Sequence, residues 1–174
     1  FPTRRSSDLD EWTKMNLAGA GIDASKIHYM PDPTVLMDFS RLARYPARVE
    51  GAQRLAGVAL IDPDLRIELT AQLKRLDFHV VNMLQFHVPG QIQMPPEWTL
   101  QKRLGLHGVL DLLVTDRFHA SIFVMVLGRG AVMMVESALD YPEASSKGRD
   151  LFEKLGLGNM VWRHDPGLEV SPDL

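Results

Sequence analysis

Apolar and polar positions along this chain fall into blocks of strand and helix length. Residues 55–61 (LAGVALI) form a continuous apolar run ended by Asp62-Pro63, the mark of a strand buried on both faces. Leu65, Leu69, Leu73 and Leu76 follow at i, i+4, i+8 and i+11, one face of an amphipathic helix that Asp64 is placed to cap. Residues 78–86 (FHVVNMLQF) predict a second strand, and the Pro- and Gly-rich residues 88–96 a loop. Residues 96–104 read as a short helix with Pro96 near its start. Residues 110–114 (LDLLV) predict a third strand, followed by a polar turn, Thr115-Asp116, with Asp116 as the helix N-cap. The next helix starts near Arg117 and is apolar nearly all round through Phe118, Ile122, Phe123, Val124, Met125, Val126 and Leu127. Such a helix is expected to be buried on most sides. Gly128-Arg129-Gly130 stops it, residues 130–136 (GAVMMVE) give a fourth strand, and residues 147–155 a last amphipathic helix.

Strands apolar on both faces that alternate with helices imply a parallel sheet covered on both sides. The expected fold class is therefore α/β, a Rossmann-like parallel sheet with helices on both faces, occupying residues 46–160. Residues 10–45 are less regular and read as an inter-domain or residual N-terminal segment. They hold a helix at 10–18 broken by Gly19-Ala20-Gly21, and a strand at 26–30 (KIHYM) closed by Pro31-Asp32-Pro33. A helical turn within 35–44 and a boundary at Tyr45-Pro46 complete the segment. Residues 161–174 read as a tail, irregular from Trp162.

Composition narrows the function classes. A chain of 174 residues with 45% hydrophobic content can bury one core. A net charge of −3 gives no basic field to recommend nucleic acid as a partner. Cysteine is absent, which excludes disulfides and thiolate metal sites. No apolar run approaches the roughly 18 to 20 residues of a membrane span, and no signal-peptide pattern is visible, so the cytoplasm is the expected location.

The candidate chemistry lies at the start of the buried helix. Its first turn exposes backbone N–H groups and the positive end of the helix dipole, and Arg117 and His119 fall there. Together they predict an anion-binding mouth at the carboxyl end of a parallel strand, where open α/β sheets place their ligands. Arg117 suits bidentate grip of a carboxylate or phosphate, and His119 suits general acid or base work. The plainer readings are Arg117 bonded to strand-end carbonyls and His119 as a hydrogen-bonded core histidine. Glu136 ends a parallel strand, so Glu136 and Ser137 are candidate cleft-lining residues. His79 and His87 share a strand face but lack a third ligand at metal spacing, so no metal site is expected. His28, His107 and His164 carry no assignment.

The order of elements and the run Val114-Thr115-Asp116-Arg117-Phe118-His119-Ala120 resemble the C-terminal half of the polysaccharide pyruvyl transferase family. That family carries an Arg-Leu-His signature between a buried strand and a buried helix; here Phe118 replaces the leucine. Asp32-Pro33 resembles the family's Asp-Pro segment, and Lys147 in Ser145-Ser146-Lys147-Gly148 matches its downstream lysine. The resemblance implies one half of a two-domain, glycosyltransferase-B-like architecture with the active site between the halves. It also implies transfer of pyruvate from phosphoenolpyruvate to two sugar hydroxyls as a ketal, in exopolysaccharide or cell-surface polysaccharide synthesis. Arg117 and His119 would then be catalytic, with Arg117, Lys147, Glu136 and Ser137 against substrate. No cofactor beyond the donor is implied. The expected partners are phosphoenolpyruvate, a saccharide acceptor (lipid-linked at the inner membrane face, or free) and a missing N-terminal half. Residues 1–9 (FPTRRSSDL) resemble a translated sequencing adapter of the kind found at the ends of assembled metagenomic reading frames, so natural sequence is expected from Asp10. Two other readings stand beside the transferase. One is the C-terminal domain of a nucleotide-sugar-dependent glycosyltransferase, for which Glu136 would read the ribose. The other is a truncated binding module without turnover, since half of a two-domain cleft is expected to be inactive alone.

Overall fold

The structure, a computed structural model, describes residues 11–27, 33–39, 54–84, 91–94, 97–127, 130–137 and 146–165. The chain divides into two compact units, Asp38–Val135 and a second made of Phe1–Met37 with Glu136–Leu174. The larger unit holds β1 (Leu55–Ala59), α2 (Pro63–Arg75), β2 (His79–Asn82), β3 (Ile92–Gln93), α3 (Leu100–His107), β4 (Leu112–Thr115), α4 (Phe118–Leu127) and β5 (Ala131–Ser137) through Val135. The smaller unit holds α1 (Glu11–Gly19), the end of β5, α5 (Lys147–Lys154) and β6 (Val161–His164). It also holds 3-10 turns at Ala24–Lys26, Pro33–Leu36 and Gly158–Met160.

In the larger unit the strands lie in the order β3-β2-β1-β4-β5, and each is parallel to its neighbour. This is the α/β, Rossmann-like sheet that the alternation of apolar runs and helices predicts. β1 is buried along its whole length, with β2 and β4 paired on either side and α2 packed against it. Val58, Leu113, Val114, Ile122 and Val124 are almost completely buried. Each such side chain contributes about 1.5–3 kcal/mol from burial before entropy is charged against it. Two glycines permit close approach at the seam. A Cβ on Gly57 would lie 2.7 Å from Leu110 Cδ1, and one on Gly130 would clash with the Leu110 carbonyl oxygen.

Several boundaries differ from the sequence expectation, each for a local reason. α2 is capped by Asp62, whose carboxylate accepts from the N–H groups of Asp64 and Leu65, because Pro63 occupies the first helical position. Asp64 is therefore inside the helix. Leu65, Leu69 and Leu73 are buried, but Leu76 is exposed: the helix ends at Arg75, and Asp77 takes a left-handed φ of 60°. α3 starts at Leu100 with Thr99 as cap, later than the helix expected at 96–104. The loop expected at 88–96 contains the two-residue edge strand β3. In place of a strand from Lys26 there is a 3-10 turn, Ala24–Lys26; residues 28–30 lie outside the described residues, as do Asp32, Tyr45-Pro46 and Gly128-Arg129. The tail expected to be irregular from Trp162 begins with β6. α4 is less enclosed than its composition suggests. Ser121, Ile122 and Val124 are buried, whereas Phe118, Phe123, Met125, Val126 and Leu127 are half-buried and His119 is exposed. Among the described residues no helix is long and apolar enough to cross a membrane.

Two stability effects follow. Gly130→Ala forces a methyl against backbone rather than a movable side chain, so it should cost about 1–3 kcal/mol in urea unfolding. An unchanged midpoint would contradict this packing. His107 joins α3 to α4, its ring edge-to-face with Phe123 at 5.5 Å and its Nδ1 donating to Arg103 O at 2.8 Å. Burial pushes the imidazole's pKa below its ordinary value, with the bond to Arg103 opposing in part. A lowered folded pKa means that the unfolded chain binds the proton more readily. Stability from this group is therefore full above about pH 6.5 and is lost as pH falls from there through the folded pKa. Urea midpoints between pH 7.5 and 5 should fall for the wild type and fall less steeply for His107→Gln.

Candidate functional site

The sheet order places a topological switch between β1 and β4. From β1 the chain moves outward through β2 and β3, then returns to the other side of β1 with β4 and β5. Connections therefore diverge at the carboxyl ends of β1 and β4, the place where open α/β sheets leave a crevice for ligands. The residues there are Leu60, Ile61 and Asp62 after β1, and Asp116 and Arg117 after β4.

Thr115 closes β4 fully buried, with its hydroxyl used twice: it donates to Ala59 O at 3.2 Å and accepts from Arg117 N at 2.9 Å. The Asp116 amide donates to Ala59 O, and its Oδ2 accepts from Ile61 N at 2.7 Å. Oδ1 lies 3.1 Å from Arg117 Nε. α4 opens with a bond from Ser121 N to Arg117 O, which makes Arg117 the cap position. Asp116, expected as the N-cap, lies one residue too early and instead ties the two switch-point loops together.

Arg117 carries a side chain that is 44% exposed. Among the described residues its partner is Asp116 rather than a strand-end carbonyl, so the plainer reading of Arg117 does not hold. His119 is exposed, with its ring edge-to-face with Phe118 at 5.4 Å, so it is not a core histidine. Both residues thus stand in or beside the first turn of α4, which holds no acidic residue of its own. The dipole there favours an anion.

In the smaller unit the expected cleft residues have a different environment. Glu136 is 3% exposed, and its Oε1 accepts from Ser146 N at 2.8 Å while Oε2 lies 3.4 Å from Arg149 Nη1. Its carboxylate thus anchors the start of α5, whose cap is Ser146, accepting from Arg149 N. Ser137 and Lys147 are half-buried, and Lys147 is the first residue of α5. Asp150 is buried, and its Oδ2 has no hydrogen-bond partner among the described residues, a feature that no sequence pattern announced. His79 is exposed at the start of β2, while His87 lies outside the described residues. No group of three metal-ligating side chains occurs among the described residues.

No family model matches the chain, and no curated protein does. Among solved structures the chain is similar to one described as a crystal structure of the glycotransferase of kitacinnamycin, at 20% identity with a TM-score of 0.49. The match covers 90% of this chain and 49% of that one, so the chain spans about half the length of that protein.

Proposed function

We propose that the protein is a transferase that uses an anionic donor, and that the donor is phosphoenolpyruvate, whose pyruvyl group passes to two hydroxyls of a saccharide. The observation that carries this reading is the exposed Arg117–His119 pair in and beside the first turn of α4, at the switch point of a parallel sheet. A donor with both a carboxylate and a phosphate needs a cation and fixed N–H dipoles, and this turn offers both. In the reaction, C2 of the donor gains two bonds to acceptor oxygens and loses its bond to the phosphate oxygen and its π bond to C3. One hydroxyl proton ends on the donor methylene, which becomes methyl, and the other leaves with phosphate. His119 is the residue to relay such a proton, because an imidazole both accepts and donates at one position. Lys147, which the family resemblance names as a substrate contact, is the first residue of α5 in the smaller unit. Glu136 and Ser137, named with it as substrate contacts, rank lower because the Glu136 carboxylate is already held by Ser146 and Arg149. The same commitment weighs against a nucleotide-sugar reading, which needs that acid for a ribose.

Calorimetric titration with phosphoenolpyruvate tests the donor. The wild-type chain should bind it, and Arg117→Ala should weaken binding ten- to a hundredfold, the equivalent of about 1.5–3 kcal/mol for hydrogen bonds to a charged group. His119→Ala should keep the thermal unfolding of the wild type and lose phosphate release in the presence of acceptor. Equal affinity in Arg117→Ala contradicts the reading; binding without any phosphate release from the wild type favours a binding module.

A further inference from the structure

The corner of the smaller unit where β5 ends and α5 begins holds two buried carboxylates in different circumstances. Glu136 is 3% exposed and both its oxygens are engaged, Oε1 with the Ser146 amide at 2.8 Å and Oε2 facing Arg149 Nη1 at 3.4 Å. Asp150 is 9% exposed, and its carboxylate has no hydrogen bond or ion pair among the described residues. Lys147 and Lys154 stand about one turn to either side on α5 without pairing with it, and Arg149 is engaged with Glu136 and Glu153. The acid left over in this corner is therefore Asp150, where the sequence pointed to Glu136.

A polar group this deep is ordinarily paired, because the hydrogen bonds it loses with water must be replaced. An acid in the first turn suits the dipole of α5, yet an exposed carboxylate would serve the dipole as well, so the dipole does not account for the burial. The backbone holds the side chain where it is. The Asp150 amide donates to Ser146 O at 3.0 Å, and the next two residues, Leu151 and Phe152, are 5% and 0% exposed, so turning Asp150 out to water would lift both from the core. Its two oxygens differ: Oδ2 is sealed from solvent, and Oδ1 is left at the narrow exposed edge. A carboxylate that is dry and without a donor on one side is a strong acceptor on the other, where a hydroxyl meets little competition from water. We propose that Asp150 binds a hydroxyl of the saccharide acceptor through Oδ1. The inference rests on the saccharide-acceptor reading above. Its charge fits that ligand, because a carboxylate accepts from neutral hydroxyls and repels the carboxylate and phosphate of the donor.

Asp150→Asn keeps the shape and removes the charge, so it separates a binding role from a structural one. A buried carboxylate without a partner contributes nothing to the fold, and the variant should unfold at an equal or higher urea concentration. A lower midpoint, or failure to fold, makes Asp150 part of the scaffold and overturns the proposal. Binding is read on an array of neutral oligosaccharides, then by calorimetric titration with the saccharide that the wild type retains best. Asp150→Asn should weaken that saccharide at least tenfold, roughly the loss of one charge-assisted hydrogen bond, and change phosphoenolpyruvate affinity by less than twofold. Unchanged saccharide affinity, an equal loss for both ligands, or a wild type that retains no neutral saccharide overturns the proposal. Phosphoenolpyruvate binding by the wild type decides the donor reading separately. A chain that binds phosphoenolpyruvate but no saccharide keeps the donor and loses this inference; one that binds saccharide through Asp150 but no phosphoenolpyruvate does the reverse.

Discussion

Two aspartates, one at each end of β4, hold the central seam of the sheet in register. Asp111 accepts from Leu55 N at 2.7 Å before β4 begins, and Asp116 accepts from Ile61 N at 2.7 Å after it ends. Between them the ladder pairs Ala56 with Leu112 through to Ala59 with Thr115. A parallel pair is slightly weaker per residue than an antiparallel one and has no hairpin to set its alignment. A slip of one residue would turn Val58, Leu113 and Val114 out of the core faces they fill. The carboxylates oppose that slip because each matches one backbone N–H on the neighbouring strand's flank.

The same constraint positions the candidate chemistry. Once β1 and β4 are aligned, their carboxyl ends are level, and α4 must start where Thr115 and Asp116 leave it. Thr115 and Asp116 spend their side chains on Ala59, Ile61 and Arg117. Arg117 and His119 are exposed. β5 gives a useful contrast. Its acid, Glu136, is buried and accepts from the amide that opens α5, so that helix start is already supplied with an internal anion. α4 has no acid in its first turn, and the proposed donor site is placed there.

The fold was legible wherever a run was long enough to show a period. The apolar runs at β1, β4 and β5 and the Leu65, Leu69, Leu73 stripe of α2 all stand where the sequence puts them. β3 was not legible, because two residues between Gly and Pro have no period and become a strand only by pairing with Val81 and Asn82. Cap choices failed for a related reason. Asp62 and Asp64 are both good capping residues in sequence, and only the backbone shows that Pro63 takes the first helical position. The end of α2 was hidden because Asp77, rather than a glycine, adopts the left-handed conformation that stops it. At the site, Arg117 and His119 were visible as polar residues at the mouth of an apolar helix. The part played by Asp116 was invisible, since its partner Ile61 is distant in sequence and offers only a backbone amide.

The central claim is that the first turn of α4 binds an oxyanion, and a titration of the isotope-labelled chain with phosphoenolpyruvate followed by amide NMR addresses it most directly. Saturable shifts should be largest at Arg117, Phe118, His119 and Ala120, with smaller ones at Ile61 through its bond to Asp116. Shifts concentrated elsewhere, or no saturable shift at α4, would contradict the account.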